Sequence, residues 1–229
     1  MTWSTGEALR VVHLPFTYYP DAVSGTEIYV AALAQGLREL GVDSIIAAPA
    51  GAPTAYSHEG TGVHRLAVSP NQLGLRELYG DGDPYVVAQF SELLDEEKLD
   101  VVHLHAFTSA VSLRLVREAA RRGIPVVFTY HTPPVSCQRG NLMRWGEAAC
   151  DGRLERRRCT QCTLHGLGMS RISSLTVGAL PPRAGLFLGD RGRQGGLWTA
   201  LRMSELVAIR HNAVRSLWQE ADGIVAVCA

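Results

Sequence analysis

Two spacings of apolar residues alternate along the chain. Short runs rich in β-branched residues give way to longer stretches whose apolar positions recur every three or four residues. That alternation predicts βαβ units on a parallel sheet. Residues 9–14 (LRVVHL) form the expected first strand, and residues 26–40 the first helix, with Val30, Leu33, Ala34, Leu37 and Leu40 on one face. Gly41 is placed to end that helix, because glycine enters the left-handed region at little cost. Residues 43–49 and 62–68 read as further strands. A helix over 84–96 directs Val87, Phe90, Leu93 and Leu94 inward. Residues 100–104 (DVVHL) and 124–130 (IPVVFTY) are continuous apolar strands, as expected when helices cover both faces of a sheet. Between them lies a helix over 110–122, stopped by Gly123. A long helix over 199–220, with Met203, Leu206, Val207, Val214, Leu217 and Trp218 on one stripe, leads to a last strand at 222–227.

Residues 132–197 fit neither spacing and are far too long for an ordinary connection, so the segment 132–198 is expected to be a functional insert. Four of the five cysteines fall in it: Cys137, Cys150, Cys159 and Cys162, spaced C-x12-C-x8-C-x2-C. A C-x-x-C step lets two thiolates reach one tetrahedral ion, and four sulfurs close the shell as structural zinc requires. Polar and glycine-rich neighbours suit a loop without a core of its own. An iron–sulfur cluster and a pair of disulfides use the same residues and remain open. A thioredoxin-type redox role fits less well, because that C-x-x-C opens a helix directly after a strand, whereas Cys159 and Cys162 are expected deep in a loop. Cys228 reads as a buried strand residue.

Composition narrows the partners. Lys plus Arg and Asp plus Glu number 22 each, so no net field draws the chain to nucleic acid or anionic lipid. The arginines at 153 and 156–158 read as solvated loop. Residues 1–10 hold no apolar signal core, and no apolar run approaches the ~18 residues of a membrane helix, so a cytoplasmic protein is expected, with peripheral membrane contact left open. In that compartment the cysteines point to metal or thiolate chemistry ahead of disulfides.

The first strand-to-helix turn, HLPFTYYPDAVSGTE (13–27), carries the elements of an anion site: unpaired backbone N–H groups and a helix dipole facing a ligand. Gly25 allows close approach, and Ser24 or Thr26 can cap the helix. There is no G-x-G-x-x-G, which removes support for a dinucleotide cofactor. An ordinary glycine turn explains the same residues equally well.

The step Ser24-Gly25-Thr26-Glu27, followed by DVVHLHA (100–106), PVVFTYHT (125–132) and ADGIVAVCA (221–229), resembles the N-terminal domain of family 4 glycosyltransferases, with serine in place of the first glycine of a Gly-Gly-x-Glu-like step. The resemblance spans nearly the whole chain. It implies an α/β, Rossmann-like three-layer domain with a mainly parallel twisted sheet, here carrying the cysteine-rich, zinc-type insert, in a two-domain GT-B enzyme. The acceptor is then held mainly by this half and the nucleotide-sugar donor by a C-terminal domain, whose hinge is expected to begin at Ala229 and which is missing here. By position, Gly25 would lie near the donor phosphate, and His131 would face the transferred sugar or the leaving phosphate as the catalytic candidate. His105 sits at another strand's carboxyl end, where open α/β sheets bind ligands. Retention of configuration without a protein nucleophile is expected, and the isolated chain is expected not to transfer sugar. Because Cys137 follows His131 by six residues, a metal is expected to stiffen the insert as a wall of the acceptor cleft, with Arg139 or Arg144 adding a polar contact. The contrasting reading is a non-catalytic, zinc-stabilised binding module of the same fold.

Overall fold

The computed structural model describes residues 8–21, 24–189 and 195–227. They fall into two compact units, one drawn from Met1–Leu73, Gly82–His131 and Leu217–Ala229, the other from Gly74–Asp81 and Thr132–Ser216.

The first unit is built on a sheet of seven strands: β1 (Arg10–Leu14), β2 (Asp43–Ala50), β3 (Thr54–His58), β4 (Thr61–Ala67), β5 (Val101–Leu104), β6 (Val126–Tyr130) and β7 (Gly223–Ala226). Their order is β3-β4-β2-β1-β5-β6-β7, and every neighbouring pair is parallel except β3 with β4. Three helices belong wholly to this unit: α1 (Gly25–Glu39), α2 (Pro84–Glu97) and α3 (Leu113–Arg121). The chain winds outward through α1 to β2 and then back across β1 to β5. Right-handed crossovers in those opposite directions place α1 on one face and α2 and α3 on the other. The β1–β5 boundary is therefore the switch point of an α/β, Rossmann-like sheet.

Local chemistry sets the helix ends. Ser24 caps α1, and its N–H donates to Glu27 Oε2 at 2.8 Å. Gly41, at φ +78, turns the chain out of the helix. Asp83 caps α2 by accepting from the Tyr85 N–H at 2.9 Å, with Pro84 pre-set for the first turn.

Several expectations shift. The edge strand β3 has no apolar rhythm and was not foreseen; it is held by antiparallel pairing to β4. On α2 the buried residue is Val86, not Val87, because 86, 90, 93 and 94 share the inner face. Leu40 and Trp218 lie outside their expected stripes, at 79% and 37% exposure, since Leu40 has already left α1 and Trp218 follows the buried Leu217. Cys228 lies outside the described residues.

The largest correction concerns the insert. Instead of one irregular loop it contains a short hairpin (Met143–Arg144 with Ala148–Ala149) and the helices α4 (Arg156–Gly166), α5 (Arg171–Val177) and α6 (Pro182–Gly189), followed by the long α7 (Gly196–Glu220). It also has a core. Leu164 of α4 packs with Met203, Leu206 and Val207 of α7, all fully buried, and Leu75, Tyr79 and Met169 close around them. Cys159 and Cys162 thus lie on a helix, not in a loop, three residues apart and on one side of α4.

Candidate functional site

Strand parity builds the site. In β1, β5 and β6 one set of alternating residues is wholly apolar: Val12, Leu14, Val102, Leu104, Val126 and Phe128 are all inaccessible. The other set carries the polar groups. His13 pairs in register with His103 across the switch point, and His103 pairs with Val127. Two residues on from each, His105 and Thr129 project from the same face, and His131 follows Thr129 at the same spacing. On β2, Ser44 stands two residues from Ile46, the partner of His13. The ladder continues past β5 through the His105 N–H, which donates to the Leu14 carbonyl at 3.0 Å.

These side chains meet. His13 Nδ1 lies 3.1 Å from His105 Nε2, and His105 Nδ1 lies 3.1 Å from His131 Nε2. At the inner end His13 Nε2 reaches Ser44 Oγ at 3.4 Å, while His103 Nε2 bonds Thr129 Oγ1 at 2.7 Å beside the row. Tyr29 of α1 meets the His131 ring edge-on, with centroids 4.8 Å apart. Burial pushes the His13 imidazole down to about 3 and His103 to about 4, each helped by a neighbouring histidine. His105 is held well below its usual value, by burial first and then by His103, His13 and His131. His131, half-buried, is lowered by burial, while the Glu27 carboxylate pulls it back up. At neutral pH the row is therefore uncharged along its length.

Among the described residues, His13, His103 and His105 form the group whose ligand atoms all lie within 4.8 Å of one another. Neutral imidazoles are the form that ligates transition metals.

The first strand-to-helix turn, described except for residues 22 and 23, ends in the expected helix start. Ser24 precedes α1, Gly25 and Thr26 open it, and the buried Glu27 binds back to Ser24 through both the N–H and Oγ, the latter at 2.6 Å. A Cβ at Gly25 would meet nothing within 4 Å, so packing within the fold does not demand glycine there. His105 and His131 are brought together. His13, His103, Ser44, Thr129 and Tyr29 were not singled out beforehand, and Glu27 was named only within the family step; the i, i+2 pair in DVVHLHA is the one local signal that two histidines share a face.

In the second unit, Cys137, Cys150, Cys159 and Cys162 line one small cavity together with Arg139, Met143, Arg144 and Arg158. None of the four is in a disulfide, and they do not reach the mutual spacing of the histidine group. The Trp145 N–H donates to Cys162 Sγ at 3.3 Å. Burial raises the Cys159 thiol, opposed by Arg158 and reinforced by Cys150 and Cys137. Arg139 turns its guanidinium to the Cys162 carbonyl at 3.3 Å. Among the described residues no helix is long and apolar enough to cross a membrane.

The sequence profile of glycosyltransferase family 4 matches residues 23–165, more than half of the chain. No curated protein matches at a significant level. Among solved structures, the chain is similar to sucrose-phosphate synthase from Thermosynechococcus elongatus (TM-score 0.42, 15% identity, 71% of this chain and 41% of that one). It is also similar to the catalytic domain of starch synthase IV from Arabidopsis thaliana (0.39, 14%, 96% and 52%) and to UDP-GlcNAc 2-epimerase from Neisseria meningitidis (0.37, 12%, 96% and 72%). The chain thus spans about half or less of the two synthases.

Proposed function

The chain belongs to glycosyltransferase family 4, and from that premise we propose that it forms the acceptor-side half of a GT-B enzyme that moves a sugar from a nucleotide-sugar donor to an acceptor. The observation that carries this reading is the coincidence of the family match with the histidine row: the matched span contains the α1 turn, His105 and His131, and the last two are hydrogen-bonded at the carboxyl ends of β5 and β6. That rim, beside the switch point, is where open α/β sheets receive ligands.

In this reading the N–H groups of Gly25 and Thr26 in the first turn of α1 face the donor phosphate, and the bare glycine leaves room that the fold itself does not need. His131 contacts the transferred sugar or the departing phosphate and stabilises the leaving group by hydrogen bonding. No carboxylate nucleophile is assigned. A second Rossmann domain completes the cleft and holds the nucleotide, so the chain alone binds acceptor weakly and transfers nothing. The test is release of nucleoside diphosphate from a panel of nucleotide-sugars, with the second domain present. His131→Ala is expected to lower turnover about 100-fold, the scale of losing one transition-state donor. Turnover by the 229-residue chain alone, or an unchanged rate in His131→Ala, contradicts the assignment.

The cysteines support a further part of this reading, a structural zinc bound by Cys137, Cys150, Cys159 and Cys162. Their shared cavity and the one-sided placement of Cys159 and Cys162 on α4 favour it. Binding requires thiolates, so loading releases protons from groups such as the raised Cys159 thiol. Elemental analysis of the purified chain is expected to give one zinc per molecule. Iron with visible absorbance would favour a cluster instead, and no metal at all would remove the site.

A further inference from the structure

We propose that His13 and His105 are positioning residues that lock His131 in one neutral tautomer, with a proton on Nδ1 and a bare Nε2. Three imidazoles and a hydroxyl stand in one line: Ser44 Oγ, His13, His105 and His131, joined through alternate ring nitrogens. A neutral imidazole has one N–H and one lone pair, so each link constrains the next. Only two hydrogen patterns satisfy every link. In the first, Ser44 donates to His13 Nε2, His13 Nδ1–H donates to His105 Nε2, and His105 Nδ1–H donates to His131 Nε2. In the second, every hydrogen points the other way and His131 gives up its proton inward.

The surroundings choose between them. Ser44 serves either pattern, because a hydroxyl donates or accepts. His103 is engaged with Thr129 and stays neutral beside the row. At the other end the Glu27 carboxylate, held in place by the Ser24 N–H and hydroxyl, acts electrostatically on His131. A negative charge at that end favours the pattern whose N–H dipoles point toward it, which is the first. His131 then presents Nδ1–H, the ring nitrogen that makes no hydrogen bond among the described residues. A fixed neutral donor suits an anionic oxygen such as a phosphate-type leaving group; that use rests on the glycosyl-transfer reading, whereas the lock does not. A cation shared by His13, His103 and His105 is the rival arrangement. It would set a divalent charge against the buried His13 and His105 and the partly buried His103, at a desolvation cost that the neutral row does not carry.

Long-range 1H–15N correlation spectra of the 15N-labelled 229-residue protein at pH 7.5 decide the question without any assay of transfer. His131 is expected to show a protonated Nδ1 and a pyridine-like Nε2, with His105 and His13 in the same tautomer. In Glu27→Gln, which removes the negative charge that selects the pattern while keeping an acceptor for the Ser24 N–H, His131 is expected to become a mixture of tautomers. The proposal is overturned by an Nε2–H or cationic His131 in the unaltered protein, or by a Glu27→Gln spectrum that still shows one fixed form. Joint metal-type shifts of His13, His103 and His105 on adding zinc also overturn it. If a variant does not fold, the tautomer in the unaltered protein decides alone.

Discussion

The histidine row and the cysteine cavity are two polar clusters assembled in opposite ways. The row draws its side chains from β1, β5 and the end of β6, and the surrounding sheet buries them until they are neutral and bonded to one another. The cysteines come from one continuous stretch, partly exposed, and the thiols of Cys150, Cys159 and Cys162 each have a contact close by in that stretch. The row is complete without a ligand because imidazole both donates and accepts. Thiols are weak hydrogen-bonding groups, so a four-sulfur cavity gains most when an ion joins it. The difference suggests that the first cluster is stabilised by the fold, and that the second stabilises the fold once loaded.

The largest expected effect tests the cysteine half of that contrast. Stripping zinc, or replacing Cys150 with Ser, is expected to destabilise the second unit by up to about 10 kcal/mol, the scale of a structural zinc. Hydrogen exchange should rise over residues 137–162 and leave β1, β5 and β6 protected. Equal loosening of the sheet would erase the contrast.

Leu164→Ala should cost about 2–5 kcal/mol, because Leu164 is fully buried against α7, yet leave metal content unchanged. Calorimetry with metal analysis separates this core from the cysteine site; loss of zinc in that variant would join them.

Acid tests the histidine row. His13 and His103 have folded-state values of about 3 and 4, below the ordinary 6.5, so the unfolded chain binds more protons as pH falls. Their contribution is whole above about pH 6.5 and shrinks as pH drops toward 4. Urea titrations at pH 7.5 and 5 should differ by about 2 kcal/mol for each of these histidines. His103→Gln should flatten the slope by one such share, and an unchanged slope would mean that His103 is not buried neutral. The smallest effect is expected for Ser24→Ala, about 1 kcal/mol from the lost cap, measured by the same titration.

The ordered alternation of strands and helices was legible because apolar periodicity is local: β1, α1, β2, β5, β6 and α7 all sit within a few residues of where the pattern placed them. The insert was misjudged because α4 is rich in arginine and cysteine, and its one inaccessible apolar side chain, Leu164, is matched by residues of α7 some forty positions away. His105 and His131 were identified from strand ends and from the family's motifs. His13 and His103 looked like ordinary strand residues, since no spacing relates them.

By itself the sequence determined the order of elements, the helix boundaries at Ser24 and Gly41, and the family, since each depends on neighbours within a few residues. Only the tertiary structure decided which histidines touch, because strand register and face are fixed by pairing between distant segments. It also decided that they are uncharged, because a side chain's protonation is set by the water its surroundings exclude.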